Sequence, residues 1–238
     1  MARPLMAVIL AGGLATRLGE TTRATPKALL PVGGRPFLAW QLERIARSGF
    51  SDVLLLTGHL ADSIAEFVGD GSGFGLRART LSDGPKLLGT AGALRRALDA
   101  LDEDFLVTYG DSYLPFDYSA PLRDLRAHPE ALGTMSVYRN AGRWDASNTM
   151  IRDDHVVRYE KGANAPELDY IDYGAIALRR EVIAAVAPDV PHGLDAVQSE
   201  LVRRGALRAY RATERFYEIG SHAGLAELDT VLSKGDLP

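Results

Sequence analysis

The sequence contains no cysteine and no long apolar run, and each absence removes a class of protein. Without cysteine there is no disulfide framework, no thiolate metal site and no thiol nucleophile. No stretch approaches the roughly 18 consecutive apolar residues of a membrane-spanning helix. The N-terminal apolar run is only about six residues long and ends in two glycines, which is too short for a signal-peptide core. We therefore expect a cytoplasmic protein with no membrane partner.

A strong excess of charge is also absent. The 27 Lys and Arg residues against 31 Asp and Glu residues leave a net charge of -4, which gives no overall attraction for nucleic acid. The Walker pattern G-x-x-x-x-G-K-[ST] is missing, and so is the dinucleotide pattern G-x-G-x-x-G after the first strand. These absences argue against a P-loop kinase and against a dehydrogenase. A hydrophobic content of 46% is that of an ordinary globular protein.

Strand-like and helix-like segments alternate in the first half of the chain. Short, largely apolar runs predict strands at residues 6–10, 52–57 and 105–109, and a further strand is predicted at 76–81. Apolar residues at helical spacing predict helices at 36–48, 61–68 and 91–101. The alternation predicts an α/β fold, Rossmann-like and three-layered (α/β/α), with a mixed, mostly parallel central sheet. Ligands on such sheets bind beyond the carboxyl ends of the strands.

The second half is less regular. Strands are predicted at 134–138, 149–151, 156–159, 170–178, 208–212 and 215–217, and helices at 181–186, 194–203 and 223–232. No linker rich in Pro or Ser and no repeat interrupts the chain. We predict a single domain over 1–238, with one half at 1–112 and a second half at 113–238.

The most informative stretch follows the first predicted strand. It reads L-A-G-G-L-A-T-R-L over residues 10–18, and P-K-A-L-L-P-V follows over residues 26–32. Gly12 and Gly13 lack a Cβ, so their backbone N–H groups can turn toward an anion and let it come close. Arg17 and Lys27 add fixed positive charge for phosphates. A strand, a glycine turn and two cations together predict a nucleoside triphosphate site.

These motifs resemble the signature of the sugar-1-phosphate nucleotidylyltransferases, L-A-G-G-x-G-T-R-L followed by P-K-x-L-x-P-V, with Ala15 in place of one glycine. The resemblance implies the nucleotide-diphospho-sugar transferase fold and attack of a sugar-1-phosphate oxygen on the α-phosphate of an NTP, which releases pyrophosphate. It implies that Lys27 stabilises charge during transfer and that Arg17 binds the triphosphate. The nucleotide-binding residues it implies in the first motif are Leu10, Ala11, Gly12, Gly13, Thr16 and Arg17, together with the amides of Leu14 and Ala15.

Two acidic residues are expected to hold Mg²⁺. Asp111 follows the predicted strand 105–109 in the stretch Y-G-D-S-Y, and a carboxylate there suits a hard cation. The resemblance implies that Asp111, like Arg17 and Lys27, is a catalytic residue. Members of the family that the chain resembles have the sequence aromatic-x-Asp-Ile-Gly-Thr near the end of the chain. This chain has F-Y-E-I-G-S over 216–221. Glu218 is therefore expected as the second metal ligand, with a water-mediated or a structural role as the alternatives.

The resemblance also implies contacts to the base and to the sugar phosphate, with 1–112 as the nucleotide-binding half and 113–238 as the sugar-phosphate-binding half. The stretch L-G-T-A-G over 88–92 is expected to lie against the base, with Thr90 capping its own helix. Asp83 and Lys86 either face the nucleotide or are plain loop residues. The cluster W-D-A-S-N over 144–148 suits sugar binding, with a turn between strands as the alternative. The residues implied for the base are Gly89, Thr90 and Gly92, and those for the sugar phosphate are Asn148, Glu160, Lys161, Asp172 and Gly174.

The substrate pair stays open at this point. The stretches Y-G-D-S-Y and W-D-x-S-N are most similar to the branch that transfers GMP to heptose or mannose-type 1-phosphates for bacterial capsule and surface polysaccharide. Thymidylyl or uridylyl transfer to glucose 1-phosphate or muramate 1-phosphate is the alternative. A regulator that binds nucleotide sugars without turnover is a second alternative, and a homodimer is left open. The chain ends without the C-terminal β-helix of many relatives, so it is expected to resemble a minimal catalytic domain.

Overall fold

The computed structural model describes residues 4–13, 18–19, 22, 24–84, 87–162 and 165–235. The helices are α1 (Phe37–Arg47), α2 (Ala61–Val68), α3 (Gly89–Arg96), α4 (Ser119–Ala127), α5 (Arg180–Ala184), α6 (Leu194–Arg203) and α7 (His222–Lys234). The strands are β1 (Met6–Ala11), β2 (Pro31–Val32), β3 (Arg35–Pro36), β4 (Asp52–Thr57), β5 (Arg77–Ser82), β6 (Asp104–Tyr109), β7 (Ser112–Tyr113), β8 (Gly133–Arg139), β9 (Thr149–Arg152), β10 (His155–Tyr159), β11 (Tyr170–Arg179), β12 (Leu207–Ala212) and β13 (Tyr217–Glu218).

The chain forms two compact units whose segments interleave along the sequence. Unit 1 comprises Met1–Leu87, Thr108–Pro115 and Phe216–Pro238, and unit 2 comprises Leu88–Val107 and Phe116–Arg215. The predicted single domain with halves at 1–112 and 113–238 stays a prediction.

Unit 1 is built on three parallel strands in the order β5-β4-β1. The register runs from Met6 opposite Asp52 to Ala11 opposite Thr57, so these strands end at the same level. β1 and β4 are almost entirely buried, as continuously apolar parallel strands require. The residues that follow β1, β4 and β5 therefore meet at one edge of the sheet.

A second layer of unit 1 holds the C-terminal helix. Short antiparallel pairs join β2 to β3 and β7 to β13. Helix α7 packs on them through Leu228 and Leu232, against Val32, Phe37 and Ile219. The Asp229 carboxylate accepts a hydrogen bond of 2.8 Å from the N–H of Gly33 in the β2–β3 turn. The segment that follows Lys27 is thereby tied to the end of the chain.

Unit 2 contains the strand order β11-β8-β12-β10-β9, in which β8 and β12 are parallel and the other described pairings are antiparallel. The β11–β8 register shifts between Asp172 and Ile176, so the ladder is irregular there. Helix α4 packs on β8, β11 and β12, α6 packs on β10 and β12, and α3 contacts α5 and α6. The Asp124 carboxylate of α4 accepts bonds of 2.9 and 3.0 Å from Arg208 of β12.

The predicted α/β class with a mixed sheet is confirmed. Helix α4 and the β2–β3 pair have no counterpart among the predicted elements. The predicted helix at 91–101 is wrong in its bounds, because α3 spans Gly89–Arg96 and a separate 3-10 turn covers Leu98–Ala100. Within the described ranges, no helix combines the length and the apolar character needed to cross a bilayer.

Candidate functional site

The glycine turn of unit 1 lies where β1 and β4 end. At Gly12 and Gly58 the backbone is packed too closely for a side chain. A Cβ on Gly12 would lie 2.8 Å from Asp83 Oδ2. A Cβ on Gly58, just after β4, would lie 2.7 Å from the carbonyl oxygen of Gly12. A Cβ on Gly13 would have none of the described residues within 4 Å. The turn is thus fixed on one side by close packing and has room at Gly13, as an anion-binding turn needs.

Lys27 and Asp111 form the central ion pair of unit 1. Lys27 opens a 3-10 turn after Pro26, and its Nζ lies 2.7 Å from Asp111 Oδ2. The side chains are 18% and 34% exposed, so the pair is reachable from solvent on one side. A Cβ on Gly220 would lie 3.9 Å from the same Nζ, which brings the segment after β13 beside the lysine.

Asp111 sits in a turn that joins β6 to β7. The N–H of Gly110 donates to the Leu10 carbonyl at 2.9 Å, and the N–H of Ile219 donates to the Asp111 carbonyl at 2.9 Å. Both bonds attach the turn to the ends of other elements in unit 1. The Asp111 turn therefore lies beside the end of β1, which the glycine turn follows.

Glu218 pairs with Ser112 in the β7–β13 ladder, so its backbone lies one residue away from the position opposite Asp111. Its side chain is exposed. Among the residues described, no three His, Asp or Glu side chains cluster in a way that would hold a metal. Mg²⁺ is usually held by one or two carboxylates together with waters and substrate phosphates. Two neighbouring acids with accessible oxygens fit that pattern.

Gln41 is a residue of this site that the sequence analysis missed. It lies in α1, is fully buried, and its Nε2 donates to the carbonyls of Tyr109 and Ser112 at 2.7 Å each. These carbonyls flank the Gly110-Asp111 turn. No local signal in the sequence distinguishes this glutamine from any other polar residue on a helix.

The N-terminus of α3 in unit 2 packs against the His192 segment. The His192 carbonyl accepts bonds from the N–H groups of Ala91 and Gly92 at 2.9 and 3.1 Å. A Cβ on Gly89 would lie 2.7 Å from that carbonyl oxygen. The small residues of L-G-T-A-G therefore admit a neighbouring backbone segment, and contact with a base stays a prediction.

The prediction that Thr90 caps its own helix is wrong. The α3 N-cap position is Leu88, and no side chain caps it. Instead Thr90 Oγ1 accepts a bond of 2.7 Å from the N–H of Leu194, the first residue of α6. The hydroxyl thus satisfies an end of a different helix, because the His192 segment folds back onto α3.

Asn148 and Asp172 belong to one hydrogen-bonded network in unit 2. Asn148 Oδ1 accepts from the N–H of Asp172 at 2.9 Å. The Asp172 carboxylate accepts from the N–H of Gly174 at 3.0 Å and from Gln198 Nε2 at 2.8 Å. Burial raises the pKa of the Asp172 carboxyl, although these bonds and the charge of Lys161 oppose the rise. Asp172 therefore already has protein donors on both oxygens.

Glu160 and Lys161 are exposed at the end of β10. Glu160 Oε1 accepts a bond of 2.6 Å from Arg158 Nε, and this bond lowers the pKa of the Glu160 carboxyl. The Glu160 N–H donates to the Asn148 carbonyl at 2.9 Å. Residues implied for the sugar phosphate are thus brought together by β9, β10 and β11 within unit 2.

The loop before Asn148 is organised around Asn140, which is fully buried. Asn140 Nδ2 donates to the Asp145 carbonyl at 2.7 Å and to Ser147 Oγ at 3.1 Å. Trp144 is 47% exposed, and the Arg215 guanidinium lies 3.6 Å from the centre of its ring. Hydrogen bonds from Asn140 hold this loop together, and the Trp144 ring is exposed on it. Sugar binding by the loop stays a prediction.

Part of the predicted site lies outside the described residues. These positions are Leu14, Ala15, Thr16, Arg17 and Lys86. The roles assigned to them rest on the sequence motifs.

Comparison with known proteins identifies the family. Residues 7–186 match the MobA-like NTP transferase domain. The chain is 33% identical over 231 residues to CMP-5'-(3-aminopropyl)phosphonate synthase of Streptomyces rubellomurinus, which covers 97% of the chain and 32% of that protein. It is 32% identical over 179 residues to mannose-1-phosphate guanylyltransferase of Mycobacterium tuberculosis, covering 74% of the chain and 49% of that protein. The chain thus spans about a third of the length of the first relative and about half of the second.

A solved structure has the same fold. The structure of HddC from Yersinia pseudotuberculosis complexed with GMP-PN aligns with a TM-score of 0.77 and 24% identity, covering 95% of the chain and 98% of that protein. Other relatives are named as a uridylyltransferase and as thymidylyltransferases, so the predicted resemblance to sugar-1-phosphate nucleotidylyltransferases is confirmed. With three quarters of its length matched, this chain belongs to the family of MobA-like NTP transferase domains.

Proposed function

We propose that the protein transfers a nucleotidyl group from an NTP to the phosphate of a sugar 1-phosphate. The observation that supports this most directly is the Lys27–Asp111 ion pair, because it lies in unit 1 with the tightly packed glycine turn. A cation, a carboxylate and a turn with room for an anion are the groups that phosphoryl chemistry needs. Membership of an NTP transferase family supports the same conclusion.

In the proposed step, an ionised oxygen of the sugar phosphate forms a bond to the α-phosphorus of the NTP. The bond from that phosphorus to the oxygen bridging to the β-phosphate breaks, and pyrophosphate leaves with the electron pair. The nucleophile is already ionised, so the protein has no proton to remove. Its task is to hold two polyanions in line, and the Lys27 ammonium supplies positive charge where charge develops.

We assign Mg²⁺ binding to Asp111 and Glu218. Their oxygens are of the type that this ion prefers, and both are on the surface of unit 1. When bound, the ion would neutralise phosphate charge. Lys27 Nζ lies 2.7 Å from Asp111 Oδ2, and this ion pair orients the carboxylate.

The remaining roles follow the motifs. We assign the triphosphate to Arg17, Thr16 and the backbone of Leu10, Ala11, Gly12 and Gly13, and the base to Gly89, Thr90 and Gly92. For the sugar phosphate we assign Asn148, Glu160 and Lys161 as direct contacts. Asp172 and Gly174 support them, since both Asp172 oxygens already accept bonds within unit 2. We place the reaction in the cytoplasm, in keeping with a chain that has no cysteine.

For the substrate pair we favour GTP with a heptose or mannose-type 1-phosphate, as in bacterial surface-polysaccharide synthesis. A mannose-1-phosphate guanylyltransferase among the relatives and a GMP-PN complex of a protein with the same fold support this choice. Relatives named as uridylyl- and thymidylyltransferases support the alternative of UTP or dTTP with glucose or muramate 1-phosphate. A non-catalytic regulator is the remaining alternative.

One further candidate has an observation of its own. The relative that covers 97% of the chain is named for a product that joins CMP to an aminopropyl phosphonate. A phosphonate oxygen is ionised like a phosphate oxygen, so the same site would serve. Cytidylyl transfer to a phosphonate is therefore our second candidate function.

A pyrophosphate-release screen tests these choices. Purified protein with Mg²⁺ would be offered ATP, GTP, CTP, UTP and dTTP, each against mannose, glucose, muramate and heptose 1-phosphates and an aminoalkyl phosphonate. Release with GTP and a heptose or mannose 1-phosphate supports the favoured pair, and release with CTP and the phosphonate supports the second candidate. Lys27→Met serves as the matched blank. Nucleotide-sugar binding with no release for any pair would instead favour the regulator.

A further inference from the structure

Gln41 is held in α1 as a buried donor to two backbone carbonyls. Its side chain has no exposed surface, and Nε2 lies 2.7 Å from both the Tyr109 and the Ser112 carbonyl oxygens. Both partners are acceptors, so the amide must present its NH₂ group to them, and both of its protons are used. Gln41 Oε1 accepts no hydrogen bond from any residue in the described ranges. Gln41 thus keeps both of its donated hydrogen bonds, while its own side-chain oxygen accepts none from the described residues.

The two carbonyls bracket the turn that carries Asp111. The residues between them are Gly110 and Asp111, whose backbone is also fixed by bonds to Leu10 and from Ile219. A Cβ on Gly110 would lie 3.1 Å from the Leu10 carbonyl oxygen, so the Gly110 backbone packs closely against β1. Gln41 binds the same turn from the side of α1. The backbone that carries Asp111 is therefore held from three directions: by β1, by α1 and by Ile219.

The same helix supports the segment that follows Lys27. Trp40, next to Gln41, donates through Nε1 to the Val32 carbonyl at 2.9 Å. At the start of α1, the N–H of Phe37 donates to the Leu30 carbonyl at 2.9 Å. Helix α1 is thus a common support for the segments that bear Lys27 and Asp111.

We propose that Gln41 is a positioning residue for nucleotidyl transfer, which sets the Asp111 carboxylate for metal binding and for its contact with Lys27. The inference rests on the proposed function, in which Asp111 is a metal ligand. Groups that orient a metal ligand from behind change metal affinity or activity about 10- to 100-fold when they are removed. A residue that only fills the core would change stability and leave metal affinity alone.

The test uses Gln41→Met, which keeps the length of the side chain and removes both donors. Ile45→Val is the matched control, because Ile45 is fully buried on the same helix and the change removes one methylene. The first readout is binding of Mn²⁺ alone to the full-length protein, followed by electron paramagnetic resonance. The second is the Mg²⁺ concentration for half-maximal pyrophosphate release, with kcat and the KM for the NTP measured separately.

We expect Gln41→Met to weaken Mn²⁺ binding about 10-fold and to raise the Mg²⁺ requirement by a similar factor. The KM for the NTP should change by less than about twofold, since both hydrogen bonds of Gln41 go to backbone carbonyls of the Asp111 turn, and Ile45→Val should match wild type in every readout. Equal Mn²⁺ affinity in wild type and Gln41→Met overturns the proposal, as does a wild type that binds no Mn²⁺. If Gln41→Met does not fold, Gln41→His decides. It loses one of the two donors, so Mn²⁺ binding should still weaken, and an unchanged Mn²⁺ affinity overturns the proposal.

The two readouts also separate this inference from the proposed function. A wild-type protein that binds Mn²⁺ but releases no pyrophosphate with any substrate pair contradicts the proposed function. The Mn²⁺ comparison between wild type and Gln41→Met still decides whether Gln41 orients the ligand.

Discussion

Lys27 Nζ lies 2.7 Å from Asp111 Oδ2, although 84 positions separate the two residues in the sequence. The pair joins the cation proposed to stabilise charge in transfer to the carboxylate proposed to hold the metal. Each side chain therefore influences where the other points, and changing one is expected to affect the role of both.

Replacing Lys27 should lower kcat strongly. Lys27→Met removes the charge and keeps most of the apolar stem, and we expect a loss on the order of 10²-fold or more, as for other charged transition-state contacts. Lys27→Arg keeps the charge and should retain more activity. Pyrophosphate release at saturating substrates measures both variants. Near-normal turnover by Lys27→Met would remove Lys27 from the chemistry.

Changes at the two proposed metal ligands should act on the Mg²⁺ requirement. Asp111→Asn keeps the size of the side chain and removes its charge, so more Mg²⁺ should be needed for half-maximal rate. Glu218→Asp should retain more activity than Glu218→Ala, because a shorter carboxylate still offers oxygen to the ion. Rate against Mg²⁺ concentration tests all three. Equal losses in the two Glu218 variants would point to a structural role for that side chain.

The elements that could be predicted from the sequence are those with a local pattern. Strand β4 and helices α2 and α6 have the predicted bounds, since their apolar periodicity is strong. Helix α4 has no predicted counterpart, and it carries Pro121 in its first turn, where a proline removes no needed N–H group. Strands β2 and β3 have two residues each, which is too short for any periodicity.

The parts of the site that depend on distant partners could not be predicted. The rule that ligands bind at the carboxyl ends of parallel strands places Gly12 and Asp111 on one edge. Gln41 meets carbonyls 68 and 71 residues away, and no local pattern encodes that meeting. The contact of His192 with α3 likewise depends on a loop that follows α5 and comes back to an earlier helix. Motifs therefore identify candidate residues, while packing determines what supports them.

A glycine pair at the sheet edge allows a matched stability test. In Gly58→Ala the new Cβ would lie 2.7 Å from the backbone oxygen of Gly12, so we expect a loss of about 1–3 kcal/mol in unfolding free energy. In Gly13→Ala no residue of the described ranges lies within 4 Å of the new Cβ, so stability should be nearly unchanged. Denaturant unfolding compares the two variants. A Gly13→Ala variant that is stable but has a raised KM for the NTP would support the phosphate role of that turn.

The hydroxyl of Thr90 should matter to α6. Thr90→Val removes the acceptor for the Leu194 N–H, and loss of a bond at a helix N-terminus costs about 1 kcal/mol. Ser199→Ala on the exposed side of α6 is the control and should stay within about 0.5 kcal/mol of wild type. Thermal unfolding measures both. Equal stability of the two variants would mean that this bond contributes nothing to α6.

The pH dependence of stability should reveal the buried carboxyl of Asp172. Burial is the main cause that raises the pKa of the Asp172 carboxyl in the folded protein. The folded protein therefore binds this proton at pH values where the unfolded chain, with a pKa of about 3.9, does not. Its contribution to stability is thus full below about pH 4 and is lost as pH rises through the folded pKa. The slope is at most about 1.4 kcal/mol per pH unit.

Asp172→Asn should remove this dependence and stabilise the protein at neutral pH. The introduced amide carries no charge to bury, and its NH₂ group could donate to Gln198 Oε1, which accepts no bond from any described residue. Urea unfolding from pH 4 to pH 8 compares wild type with this variant and with Asp99→Asn, whose carboxylate is exposed. We expect wild type to lose stability relative to Asp172→Asn as pH rises, and Asp99→Asn to follow wild type. Parallel curves for all three proteins would show that the Asp172 carboxyl titrates alike in the folded and unfolded chain.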